Sequence, residues 1–178
     1  AEPFKKWLAE IARERLEEID DPELGIDRIL EYYHRKGYSD KWINQRLKSI
    51  EVRKELTDEW ERRGVKKGQE FAVLTDIITA AWSGLTTKQY KKHKGLKTES
   101  LRDNMTNLEL ALNTLAEATT TEISKVQKPK TLNENKKVVA KGGKIVGNTR
   151  KEIETNLGKS IVSSTNAKSI KLLKNKNK

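Results

Sequence analysis

From Phe4 to Ile123 the apolar side chains return every three or four residues, and nowhere in that stretch do they alternate as a half-buried strand requires. Phe4, Trp7, Leu8, Ile11, Ala12 and Ile19 mark a helix over about residues 3–18, with Pro3 in its first turn and Asp20-Asp21-Pro22 as its stop. Leu24, Ile26, Ile29, Leu30 and Tyr33 form a second stripe that closes at Gly37, a residue able to take the left-handed geometry of a helix C-terminus. Ser39 and Asp40 offer cap oxygens to a third segment carrying Trp42, Ile43, Leu47 and Ile50. Near Ser49 the phase shifts to Val52, Leu56 and Trp60, which predicts a kink or short break before an end at Gly64.

Phe71, Leu74, Ile77, Ile78, Ala81 and Trp82 make the next stripe, closed by Gly84. Thr86-Thr87-Lys88-Gln89 has the form of a capping box and starts a short helix ending near His93, followed by Gly95. Thr98 then leads into Leu101, Met105, Leu108, Leu112, Leu115 and Ala116, a helix running to about Ile123. The expected fold is all-α, a compact multi-helix bundle over residues 1–123. Its core must be thin, because 34% of the residues are hydrophobic and 35% are charged.

Beyond residue 123 the pattern changes. Residues 124–131 are polar, basic and hold Pro129, so they read as a linker. Helical spacing returns through Val138, Val139, Ile145, Val146, Ile153 and Leu157, giving a basic helix with a short extended end over residues 132–164. Gly142, Gly143 and Gly147 each cost such a helix about 1 kcal/mol relative to alanine, so it needs outside support. Residues 165–178, rich in Lys and Asn, are expected to be disordered.

Charge follows the same division. Residues 1–123 carry 22 basic and 23 acidic side chains, whereas residues 124–178 carry 15 basic and only three acidic ones. The entire net charge of +11 therefore belongs to the last third, a balance that points to a polyanion such as DNA. Candidate phosphate contacts are Lys88, Lys91, Lys92, Lys94 and Lys97 in the acid-free run KQYKKHKGLK, and Lys141, Lys144, Arg150, Lys151 and Lys159 further on. All ten aromatics lie at or before Tyr90, so contacts from these regions should be to phosphate and poor in sequence information. Ala140, Gly143 and Gly147 share one helix face, and the close-approach positions Gly143 and Gly147 suit either a phosphate backbone or a partner helix, including one in a homo-oligomer.

Gly158-Lys159-Ser160 ends like a P-loop, but Ile153 stands where the loop needs glycine and no strand precedes it. Gly158 reads better as a helix C-cap, and no nucleotide or other cofactor is expected. Arg28 and His34 fit the Arg-x4-6-His spacing of all-helical HEPN ribonucleases, although Ile29 replaces the usual polar neighbour. That is a remote alternative to a solvent-facing histidine. With no cysteine there is neither a disulfide nor a thiolate site, and no metal-ligand spacing occurs. FAVLTDIITAAWSGL is too short to span a bilayer and is interrupted by Asp76. The opening AEPFKKWLAEIA lacks a signal peptide's form and reads as a helix already under way, so a cytoplasmic fragment missing an upstream part is expected.

Several longer blocks carry a family resemblance: AEPFKKWLAEIA, IDDPELGIDR, KGYSDKWINQRLKSIEVRKELTDEWERRGVKKGQEFAVLT, KGLKTESLRDNMTNLEL and KGGKIVGNTRKEIETNLGKSIVSS. In this order they resemble the C-terminal part of the DNA damage-inducible protein D family, bacterial relatives of BRO proteins and phage antirepressors, over about residues 1–166. The resemblance implies an upstream DNA-binding BRO domain, of which this chain holds at most the last helix. It also implies a non-enzymatic, regulatory role in the DNA-damage (SOS) response or a prophage, with no catalytic residue to carry over. The expected partners are DNA and a protein such as a repressor or recombination protein. The alternative is an antirepressor-type interaction or oligomerisation module.

Overall fold

The computed structural model describes residues 2–167, and the expected disordered tail lies outside them from residue 168 onward. The described residues form seven α-helices and one short 3-10 turn, the all-α class expected. In order these are α1 (Glu2–Asp20), α2 (Glu23–Arg35), α3 (Asp40–Arg62), α4 (Gln69–Ser83), α5 (Thr87–His93), α6 (Asn107–Gln127) and α7 (Leu132–Leu157). No helix among them is long and apolar enough to cross a membrane. The chain divides into two compact units, residues 1–43 and 44–178.

In the first unit α1 and α2 form a hairpin. The Glu18 carboxylate accepts from Arg28 at 2.8 Å and from Arg15 at 2.9 Å, tying the two helices at one point. Gly37 ends the segment after α2 at φ +83°, as its position suggested. Behind it Tyr38 stacks on Trp42 with ring centroids 4.0 Å apart, and Tyr33 packs edge-on against both. α1, in contrast, buries no residue at all. Its apolar stripe does not join a core, contrary to the bundle expected over residues 1–123.

The second unit is built on α4, α6 and α7. Residues 143 and 147 of α7 meet Ile78, Ala81 and Trp82 of α4 in the same chain direction, so these helices run parallel. A methyl group on Gly147 would stand 2.5 Å from the Ala81 carbonyl oxygen, and one on Gly143 would stand 2.6 Å from the Ala81 methyl. Gly142 faces the other way, onto Thr120 of α6. The three glycines therefore remove the side chains that would hold α7 away from both neighbours, and the helix inserts between them. Around this seam Leu74, Ile78, Trp82, Leu110, Ala116, Val139 and Val146 are buried.

Three boundaries differ from the sequence reading. α3 is continuous through Ser49, because the small Ser49 side chain is itself fully buried and links the Trp42 row to the Val52–Leu56–Trp60 row without a break. α6 begins at Asn107 rather than near Leu101, since Thr106 accepts from the Glu109 N–H while Glu109 accepts from the Thr106 N–H. At its far end α6 continues to Gln127, with Ser124 buried, so the linker shrinks to residues 128–131 and the division at 123 falls inside a helix. α7 is consequently the centre of the second unit, not an appendage behind a hinge. Residues 160–167 also pack back: Ile161 is buried, and Ala167 donates to the Asn104 carbonyl.

The seam makes a sharp expectation. Gly147→Ala gains about 1 kcal/mol of helix propensity yet forces a methyl against backbone, and the overpacking costs about 1–3 kcal/mol. A lowered melting temperature in thermal circular dichroism is the expected result. Asn148→Ala, one position on and facing solvent, should raise it.

Candidate nucleic-acid interface

The short helix α5 is fixed at both ends. Thr86 accepts from the Gln89 N–H at 3.2 Å while Gln89 accepts from the Thr86 N–H at 2.9 Å, completing the expected capping box. On its inner side Tyr90 is fully buried with its ring centroid 6.0 Å from that of Trp82. This inward anchor turns Lys88 and Lys92 to solvent and leaves Lys91 half-exposed. Beyond Gly95, at φ +67°, Glu99 accepts from the Lys97 and Thr98 N–H groups at 2.7 and 3.0 Å. Backbone N–H groups, its own among them, hold this carboxylate below its ordinary range. Lys88, Lys91, Lys92 and Lys97 thus border a shallow depression of about 370 Å³ floored by Gly95 and Leu96.

Lys94 is not part of that surface. Its side chain is fully buried, with Nζ 2.8 Å from the equally buried Glu109 carboxylate and donating to the Thr165 carbonyl at 2.7 Å. The other Glu109 oxygen accepts from the Ser163 N–H at 3.0 Å. One ion pair therefore joins the end of α5, the start of α6 and the segment after α7. The adjacent Tyr90 phenol is held above its ordinary range by burial and, secondarily, by the negative charge of Glu109. The sequence marked Lys94 as a phosphate contact because local charge gives no sign of a partner 15 residues away. Thr165 and Asn166, assigned to a disordered tail, are both bonded to Lys94.

On α7 the candidates separate by face. Gly143 and Gly147 lie inside the helix seam, where neither a phosphate nor a second subunit reaches them. Arg150 is turned aside as well: it is largely buried and paired with Glu154 at 2.9 Å. Glu154 also accepts from the Ile161 N–H at 2.8 Å and the Ser160 hydroxyl at 3.1 Å, fixing the turn after the helix. Gly158 caps α7 at φ +65°, so the Gly-Lys-Ser triplet is a helix end and not a phosphate loop. Lys141, Lys144, Lys151 and Lys159 remain exposed.

Lys137, which the sequence reading omitted, is exposed in the same row. Spacings of four, three and seven residues place Lys137, Lys141, Lys144 and Lys151 on one face of α7, opposite the buried stripe of Val139, Gly142 and Val146. At 1.5 Å per residue the row is about 21 Å long. None of the four forms an ion pair among the described residues. The i, i+4 relation of Lys137 to Lys141 was readable in the sequence once the buried face was known.

Arg28 and His34 do not converge. Six residues apart on α2 they project about 120° from each other. Arg28 is held by Glu18, whereas His34 stands 3.5 Å from Asp40 at the start of α3. The pair builds no joint site for acid–base chemistry on a phosphodiester.

A family model described as the DinD C-terminal domain matches residues 30–173. The match takes in α3 to α7 and the C-terminal part of α2 from Leu30 onward but leaves α1 outside. No curated protein matches the chain.

The buried pair can be tested by a double-mutant cycle. Lys94→Met alone strands the Glu109 charge and should cost about 3–5 kcal/mol in urea denaturation. Adding Glu109→Gln should recover part of that loss, giving a coupling energy of about 1 kcal/mol or more.

Proposed function

Because the chain belongs to the DinD C-terminal domain family, we propose that it is a non-catalytic protein of the DNA-damage response that lays the outer face of α7 along the DNA backbone. The observation that carries this reading is the row Lys137, Lys141, Lys144 and Lys151, exposed and without ion-pair partners among the described residues. Its length of about 21 Å spans roughly six base-pair steps of a duplex measured along the axis, taking about 3.4 Å per step. The opposite face is locked into the core, so the backbone that carries the lysines is already ordered and loses little freedom on binding. Neither α7 nor the sequence after it holds an aromatic residue, and the row offers only flexible ammonium groups. Binding of this kind fixes position on DNA and reads little sequence.

A second reading is an antirepressor-type module that engages a DNA-bound protein. The fully unburied α1 favours it, since an amphipathic helix without a covered face suits a protein partner.

The test is a salt titration of binding to a fluorescent duplex by the whole chain and by Lys137→Gln/Lys141→Gln/Lys144→Gln/Lys151→Gln. Each lysine that meets a phosphate contributes about 0.9 to the slope of log affinity against log salt, so the variant should lose up to about 3.6 units of slope. A variant with the slope and affinity of the parent chain would count against the α7 row.

A further inference from the structure

Two surfaces outside the α7 row lack a partner, and their chemistry is complementary. The first is a groove of about 700 Å³ along α4 and α5, lined by Phe71, Val73, Ile77, Arg53, Lys88 and Lys91. Its acid, Asp76, is occupied in accepting from the Thr87 N–H at 2.7 Å. Arg53 is likewise engaged, donating to Thr75 at 2.6 Å and to Glu117 at 3.3 Å. Lys88 and Lys91 form no salt bridge among the described residues, although Lys91 is near enough to Glu99 to help hold that carboxylate below its ordinary range. The groove thus offers an apolar floor and two cations on one wall. With Phe71 as its one aromatic, it is poorly suited to stacked bases.

The second surface is α1. Leu8, Ala12, Leu16 and Ile19 recur at four, four and three residues, and Leu16 and Ile19 are 65% and 74% exposed. The residues that follow, Asp20, Asp21 and Glu23, are acidic. From Glu14 to Glu31 there are eight carboxylates and two arginines. Over the two units the contrast is wider still: 8 basic against 11 acidic residues in 1–43, and 29 against 15 in 44–178. A 19-residue helix with no buried side chain gains little from its own propensity and depends on a covering surface.

We propose that the C-terminal half of α1 in one copy docks in the α4–α5 groove of a second copy. Leu16 and Ile19 occupy the apolar floor, and the carboxylates that follow face Lys88 and Lys91. Charge complementarity selects this occupant, since the chain itself supplies an acidic, apolar helix for a basic, apolar groove. Reciprocal exchange closes a dimer, and one-way exchange produces a longer chain of copies. The assembly does not use the α7 row, so it stands or falls separately from the DNA reading.

Sedimentation velocity of the full chain tests this. The parent should self-associate at micromolar concentration, less strongly as salt rises. Leu16→Asp/Ile19→Asp, which damages the helix, and Val73→Asp/Lys88→Glu, which damages the groove, should each weaken association at least tenfold. Mixing the two should restore assembly, because one variant keeps an intact groove and the other an intact α1. The surface variant Lys88→Glu/Lys91→Glu must also lose association, which guards against a folding defect at Val73. A monomeric parent overturns the proposal, as does a groove variant that assembles normally or a mixture that stays monomeric. Loss of duplex binding in Val73→Asp with unchanged assembly assigns the groove to nucleic acid and overturns it too.

Discussion

The second unit depends on three missing side chains. At Gly142, Gly143 and Gly147 the backbone of α7 comes close enough to α4 and α6 that any Cβ would collide with a carbonyl, a methyl or a threonine. Glycine weakens an isolated helix, and three within six residues make α7 a poor helix on its own terms. The cost is offset because close approach lets Val138, Val139 and Val146 reach the interior on either side of the seam. The same insertion decides which face of α7 meets solvent, and hence which lysines are free.

A second constraint follows from the scarcity of apolar residues. Glu59, Glu109 and Glu117 are all buried, and each has cationic partners: Arg63 and Arg62 for the first, Lys94 for the second, Arg53 and Arg102 for the third. Polar side chains fill the gaps between them. Trp82 donates to Asn113, and Thr114, Thr120 and Thr121 each donate to the carbonyl four residues earlier. Such a core contributes less hydrophobic free energy than an aliphatic one, but its hydrogen-bond geometry admits few alternative packings. That accounts for how a chain as charged as this one still builds a defined interior.

Much of the helical frame was legible because helix ends are local. Gly37, Gly64, Gly84, Gly95 and Gly158 all take positive φ at or near helix ends, and the Thr86 capping box formed as written. The errors arose where a long-range partner overrode a local pattern. The shift of apolar phase near Ser49 looked like a break, yet the small Ser49 side chain is itself buried and the helix runs through it. Leu101 and Met105 fitted the α6 stripe, but the Thr106–Glu109 box restarts the helix beyond them. α1 has the periodicity of a core helix and covers nothing in its unit, since periodicity reports an apolar face and not what lies against it. For the candidate interface, the lysines of α5 and α7 were identifiable by charge. Which of them were already committed, as Lys94 and Arg150 are, required the fold.

The parallel pairing of α4 with α7 also sets a schedule for synthesis. Ile78 and Ala81 leave the ribosome about 65 residues before the glycines that cover them, a delay of roughly several seconds at about 5–20 residues per second. During that interval α6 can shield only part of α4, through contacts such as that between Trp82 and Asn113. A nascent chain stalled before residue 143 therefore presents an uncovered apolar helix, the kind of surface that chaperones bind and that aggregates when they are scarce. Within the second unit, the emergence of α7 therefore governs when α4 becomes safe from that fate.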